Sequence, residues 1–299
     1  MKKQLVALAV AALAAGTALA QANDTISKVK STGMITMGVR DTSGALSYTL
    51  GDGKYAGYHV DICERIITAL SKQIGKPIQI RYQPVTSQNR VPLVANGTVD
   101  IECGSTTNNL SRQKDVSFLD TVYMEQVRIA VKADSHINGI KDLNGKTVAT
   151  TTGTTSVQLL RKNERAQGID FKEVFGKDHG DSFLLLESGR ADAFVMDATI
   201  LIGNIVNSKD PKAFKIVGEP LSNEPIGIMI RKDDPAFRKF GNDVLTQLVK
   251  SGEIQRIYNK WFIQPIPPKN ISVNMPATEQ TKAAWANLND KPAEDFVKK

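Results

Sequence analysis

The chain has 299 residues, of which 41% are hydrophobic, 23% charged and 6% aromatic, and its formal charge is +7. This apolar share excludes a disordered chain, and the length suits one large domain or two ordinary ones. The 22 Gly and 12 Pro are scattered, which excludes a collagen-like repeat, and two Cys exclude a disulfide-rich miniprotein or a cysteine-built zinc site.

Residues 1–20 read as a cleaved export signal. Lys2 and Lys3 give a positive start, Leu5 to Ala15 an apolar run, and Ala18-Leu19-Ala20 a small-residue cleavage pattern before Gln21. The run is short for a membrane span, and no lipid-accepting cysteine follows it. Losing Lys2 and Lys3 lowers the formal charge from +7 to +5. The remaining basic residues are dispersed and do not alternate with aromatics, so a nucleic-acid partner is not expected. A periplasmic protein is.

From there, strands and helices alternate. Met34–Arg40 reads as a buried strand, and Ser47–Leu50 with Lys54–Gly57 as a hairpin around Gly51-Asp52-Gly53. Ile62, Cys63, Ile66, Ile67, Leu70 and Ile74 recur at helical spacing, with Gly75 placed to end the helix. Pro77–Val85 reads as a strand, Ser87–Asn96 as a short helix and Val99–Cys103 as a strand.

The second half repeats the logic without repeating the sequence. Strands are predicted at Thr147–Thr151, Phe171–Phe175, Ala193–Met196 and Lys215–Val217, with a further extended stretch at Ile226–Arg231. Helices are predicted after Gly153, at Asp181–Ser188, from Ala198 to Val206, from Pro235, and over Ile254–Trp261. Pro265-Ile266-Pro267-Pro268 breaks the pattern, and the residues after Asn270 read as a tail packed on the surface. Such alternation implies a largely parallel sheet covered by helices.

Residues with chemical potential gather in the strand-to-helix loops, where open α/β sheets bind ligands. They are Arg40, Ser87-Gln88-Asn89-Arg90, Gly104-Ser105-Thr106-Thr107 with Arg112, Thr151-Thr152-Gly153-Thr154-Thr155, His179 and Asp197. Arginine forks hold carboxylates, hydroxyls and helix N-termini add donors, and a carboxylate receives an ammonium. Bland readings stand beside these. Arg40 and Arg90 suit ordinary ion pairs, Arg112 a helix brace, Asp197 an N-cap and His179 an exposed loop. His59 and His136 read as solvated, and the three histidines show no metal-ligand spacing. Cys63 and Cys103, in an exported chain, suit a disulfide, although two buried thiols remain open. Trp261, Phe262 and Trp285 read as packing residues.

Five segments, taken together and in order, make the chain recognisable. They are Thr86-Ser87-Gln88-Asn89-Arg90, Glu102-Cys103-Gly104-Ser105-Thr106-Thr107-Asn108-Asn109, Thr151-Thr152-Gly153-Thr154-Thr155-Ser156, Lys177-Asp178-His179-Gly180-Asp181-Ser182-Phe183 and Ile266-Pro267-Pro268-Lys269-Asn270. From about Ile26 to Asn274 the sequence resembles the periplasmic solute-binding proteins of ABC transporters, in the polar amino-acid branch, and most of all its members for glutamate and aspartate.

The resemblance implies a type II α/β fold of two lobes, each with a mostly parallel sheet flanked by helices, joined by two crossover strands near Tyr123–Val131 and Glu224–Arg231. Residues 21–124 and 225–299 would form lobe 1 with the tail, and 125–224 lobe 2. It further implies that Arg40, Arg90 and His179 grip a side-chain carboxylate. Ser105, Thr107, Arg112 and Thr154 would take the α-carboxylate, Asp197 with Ser105 the ammonium, and Ser87 and Thr151 would complete the shell. The expected partners are L-glutamate or L-aspartate and an inner-membrane ABC permease, with a monomer as the working form and no cofactor or metal. One position departs: His59 stands where the family usually has an acidic residue. The competing reading is an enzyme on the same scaffold, dehydratase-like, for which His179 is the one obvious acid or base. A binder of a related dicarboxylate or amide is the third.

Overall fold

The computed structural model describes residues 24–296; the expected export signal lies outside them. In chain order the helices are α1 (Thr25–Thr32), α2 (Tyr58–Ile74), α3 (Arg90–Ala95), α4 (Thr155–Gln167), α5 (His179–Glu187), α6 (Ala198–Asn207), α7 (Pro235–Lys250), α8 (Glu253–Phe262) and α9 (Glu279–Ala286). The strands are β1 (Met34–Val39), β2 (Thr42–Ser43), β3 (Ser47–Gly51), β4 (Lys54–Ala56), β5 (Gln79–Pro84), β6 (Ile101–Thr107), β7 (Val116–Phe118), β8 (Tyr123–Lys132), β9 (Thr147–Thr151), β10 (Lys172–Gly176), β11 (Ala193–Asp197) and β12 (Phe214–Arg231).

The main sheet runs β10-β9-β11-β8-β12-β6-β1-β5, with β7 on β12. The pairs β1/β5, β1/β6, β9/β10 and β9/β11 are parallel, as the βα alternation requires. The antiparallel pairs involve β8 and β12, the strands that carry the chain across and back. These two pair from Lys132 opposite Phe214 to Tyr123 opposite Ile226, with a register shift between Val217 and Ser222. Lys215–Val217 and Ile226–Arg231, expected as separate extended stretches, are thus one strand. The intervening Gly218-Glu219-Pro220 bulges without breaking it, because both flanks have β8 to pair with.

Burial explains why the helices lie where they do. On α2, Ile62, Cys63, Ile66, Ile67 and Leu70 form one buried face, each such side chain worth about 1.5–3 kcal/mol of transfer from water. Gly75 ends the helix with φ 71°, the left-handed value glycine adopts without strain. That face packs on β1 and β6 together with Phe237, Ile254, Tyr258, Trp261, Phe262 and Trp285, as expected for the last three aromatic positions. Val94, Phe118 and Met229 fill the opposite face. The fully buried residues of both cores come from Val29–Tyr123 and Ile226–Trp285. Two further cores draw theirs only from Val127–Phe214, with Leu160 of α4 in one and Phe183, Leu186, Ile200 and Leu201 of α5 and α6 in the other.

Cys63 and Cys103 are bonded, tying α2 to β6 with 6.4 Å between Cα atoms. The tail packs on the crossover. Trp285 Nε1 donates to the Val122 carbonyl at 2.8 Å, and Thr281 Oγ1 accepts from the Met124 amide at 3.2 Å. His136 is exposed, but His59 is not solvated as expected: it is fully buried, with Nδ1 2.7 Å from the Gly104 carbonyl. Burial lowers its pKa to about 4, so the ring is neutral and Nδ1 is the donor. It opens α2 facing β6 because Tyr58, His59 and Val60 all turn inward there.

Candidate functional site

The C-terminal ends of the strands converge, and the polar residues expected at a site arrive with them. Arg40 follows β1, Ser87 follows β5, Ser105 and Thr107 end β6, Thr151 ends β9, Asp178 and His179 follow β10, and Asp197 ends β11. Arg90, Ser105, Thr107, Thr154, Thr155, His179, Met196 and Asp197 wall one cavity. Inside it the centre of a water-sized sphere has about 10 Å³ to occupy, room for about one water.

Arg40 is fully buried. Its Nη1 donates to Ser87 Oγ at 3.2 Å, and Nη2 to Asp178 Oδ1 at 2.6 Å, with His179 Nε2 3.1 Å from the same nitrogen. Because Nη2 can only donate, Nε2 is the acceptor, and His179 Nδ1–H donates to Thr151 Oγ1 at 3.0 Å. Burial pushes the His179 pKa well below its usual value, and the Arg40 and Arg90 charges push the same way against Asp178. His179 is a neutral ring with both nitrogens engaged. It is neither an exposed loop histidine nor a poised proton donor, and the two arginines beside it hold it neutral.

Arg90 sits at the first turn of α3 and is 2% exposed. Its Nε and Nη1 are buried without a hydrogen-bond partner, and no ion pair to it is formed among the described residues. Burial, then Arg112 and Arg40, push its pKa well below the usual arginine value, opposed by Glu102 and Asp197. A guanidinium so placed remains a cation and attracts an anion strongly. Arg112 lies in a short 3₁₀ turn, not at the start of an α-helix. Its Nη1 donates to the Thr107 carbonyl at 2.8 Å and Nη2 to the Gly153 carbonyl at 3.3 Å, so it spans from β6 to the loop before α4.

One carboxyl group, Asp197, walls the cavity, and Glu125 and Glu224 lie close behind it. Asp197 occupies the N-cap position of α6, but its side chain makes no cap bond. Burial, with Glu125 and Glu224 nearby, raises its pKa well above the usual value, against Arg90 and Arg112. Glu125 and Glu224 face each other across β8 and β12. Burial raises Glu125 to about 7; hydrogen bonds from Thr199 and Gln126 oppose this, and Glu224 adds to it. Glu224 Oε2 accepts from Thr107 Oγ1 at 2.7 Å and from Thr155 Oγ1 at 2.8 Å.

Of the remaining expected residues, Ser105 Oγ lies 2.9 Å from Ser43 Oγ, and Thr154 Oγ1 donates to the Thr151 carbonyl at 2.8 Å. All ten expected residues thus fall in one connected region, eight of them buried within a few per cent, Thr154 at 9% and Arg112 only partly. Asp178, Glu125, Glu224 and Glu102 are not singled out by the sequence, whereas Thr155 belongs to the Thr-rich loop that is. Glu102 Oε2 accepts from Thr106 Oγ1 at 2.8 Å. A Cβ on Gly104 would lie 2.1 Å from Glu102 Oε1 and 2.9 Å from Arg40 Cγ, which is why glycine stands there.

The sequence of this chain matches the bacterial extracellular solute-binding proteins, family 3, over residues 35–264, and the protein belongs to that family. It is 43% identical to the glutamate/aspartate import solute-binding protein of Escherichia coli (strain K12) over 95% of this chain and 97% of the relative. It is 44% identical to the L-glutamate/L-aspartate-binding protein of Pseudomonas aeruginosa, over 97% of each chain. Among solved structures, an ancestral arginine-binding protein bound to arginine superposes with a TM-score of 0.69 at 28% identity, covering 77% of this chain and 98% of that one. The fold is that of the type II periplasmic binding proteins, and the protein is a solute-binding receptor of the transport type. Among the described residues no helix is long and apolar enough to cross a membrane.

Proposed function

We propose that this protein captures L-glutamate and L-aspartate in the periplasm and presents them, as a monomer, to an ABC permease. Arg90 carries the acidic preference: a buried guanidinium on the cavity wall whose Nε and Nη1 have no hydrogen-bond partner among the described residues. The two curated relatives named for glutamate and aspartate support the same class of ligand.

In this reading residues 21–124 with 225–299 form one body and 125–224 the other, flexing at β8 and β12. The separation of the cores at Tyr123 and Ile226 supports that division. A cavity of this size cannot hold an amino acid, so binding needs the bodies to stand further apart than here; a ligand that touches both then favours the form closed around it. Arg90 and Arg40 take the side-chain carboxylate, with neutral His179 orienting Arg40 rather than adding charge. Arg112, Ser105, Thr107 and Thr154 take the α-carboxylate, Asp197 the ammonium, and Ser87 and Thr151 hold the surrounding side chains.

Calorimetric titration of mature protein, stripped of ligand by unfolding and refolding, tests the assignment. L-glutamate and L-aspartate are expected to bind tightly, and L-glutamine, glutarate and L-leucine weakly. Equal affinity for glutamate and glutamine would refute the acidic reading.

A further inference from the structure

Asp178 stands at the N-cap of α5, yet its side chain makes no cap bond. Aspartates at two other helix starts do cap: Asp24 accepts from the Ser27 amide at 2.8 Å and Asp234 from the Phe237 amide at 3.1 Å. Asp178 is turned toward the neighbouring segment instead. Oδ1 takes Arg40 Nη2 at 2.6 Å, Oδ2 takes Thr42 Oγ1 at 2.7 Å, and Thr42 Oγ1 accepts from the Gly180 amide at 3.1 Å. The ring so formed joins the start of β2 to the start of α5, and the Arg40 contact ties the loop after β1 to the loop after β10.

Two fully buried arginines therefore differ in how their charge is met. Arg40 has a carboxylate bonded to it, with the Asp178 side chain 21% exposed at the rim. Arg90 has none. Arg40 in turn holds Asp178 near pKa 2, although burial alone would raise it, so the carboxylate is ionised at any working pH.

We propose that Asp178 is a specificity-setting residue: by matching most of the charge of Arg40 from the opposite side of the cleft, it leaves Arg40 as a weak partner of the side-chain carboxylate beside the unmatched Arg90, and so limits how strongly the site prefers an acid to its amide. This rests on the acidic amino-acid reading of the cleft. In Asp178→Asn, Arg40 becomes a second buried cation without a counter-charge. An acidic ligand supplies that charge and an amide does not, while the lost cross-cleft ion pair weakens closure on either ligand equally. Glutamine affinity falls, glutamate affinity falls less, and their ratio widens by about tenfold.

The experiment is calorimetry of wild-type, Asp178→Asn and Asp178→Glu protein with L-glutamate and L-glutamine. Where the amide is too weak, the shift in melting temperature at about 10 mM ligand gives the same ratio. A ratio widened in the asparagine variant and restored in the glutamate variant supports the proposal. An unchanged or narrowed ratio overturns it even if both affinities drop, because a merely structural bridge weakens both ligands alike. Should Asp178→Asn fail to fold, Arg40→Gln provides the converse: with that charge gone, Asp178 disfavours acids, and the ratio is expected to narrow, a widening overturning the proposal. Wild-type protein that binds neither ligand would refute the acidic reading itself. Small-angle scattering without ligand then decides on Asp178: a more open asparagine variant supports the cross-cleft role, and an identical curve overturns it.

Discussion

Arg40, Arg90 and Arg112 on one side of the cleft, and Glu125, Asp197 and Glu224 on the other, are charged groups taken out of water by the same fold, and they respond differently. The arginines cannot shed their charge, so Arg40 is met by a carboxylate and Arg112 by carbonyls, while Arg90 Nε and Nη1 find no hydrogen-bond partner among the described residues. The carboxyl groups can shed theirs. Burial and mutual repulsion raise Glu125 to about 7 and Asp197 well above its usual value. The basic side is thus set for an anion at every pH, and the acidic side accepts a cation after releasing protons.

Replacing Arg90 with methionine should have the largest effect. Loss of a buried charge contact predicts a glutamate affinity at least about a hundredfold weaker, with glutamine affected far less, in parallel titrations. Asp197→Asn is expected to follow, weakening glutamate, aspartate and glutamine alike by about thirtyfold or more while leaving glutarate, which has no ammonium, unchanged. Removing that repelling carboxyl should also raise the melting temperature of the ligand-free protein near pH 8.

The titration itself gives a subtler test. A carboxyl whose folded pKa lies above its unfolded value favours the folded state while protonated. Ligand-free stability should therefore fall as pH rises from about 4.5, the unfolded value for Glu125, through about 7, its folded value. Glutamate binding has the opposite slope, strengthening with pH as Asp197 gives up its proton to receive the ammonium. Calorimetry in buffers of differing ionisation enthalpy would show proton release on binding; no net exchange would mean that the acidic side is ionised already. Glu125→Gln should flatten the stability slope and change glutamate affinity only a few-fold. His179→Gln should leave the pH profile as it is, since this ring is neutral throughout.

The loops that carry the site were legible because strand ends and helix starts are local properties. Arg40, Ser87, Ser105, Thr151, His179 and Asp197 follow directly from where β-patterned runs stop. Partnership across the cleft is not local. Asp178 carries no role in the sequence beyond its place in a matched segment, and only the fold shows it bonded to Arg40, 138 residues away in the chain. Glu224 and Glu125 read as polar positions in extended runs until β8 and β12 pair and place them opposite each other. His59 reads as solvated because its inward face depends on how α2 meets β6. The long β12 was divided for a related reason: Gly218-Glu219-Pro220 looks like a stop until a paired strand carries it across.

At the rim of the cleft, Gly153 (φ 81°) lies against the chain of the other body, where an added Cβ would come within 2.9 Å of the Gln88 backbone nitrogen and Cα. Main chain meets main chain there, with no side chain to yield. An alanine at this position would act as a doorstop, holding the mouth ajar however well the interior chemistry were preserved. The lip thus sets a mechanical tolerance: the two chains approach there as closely as one missing methyl group allows.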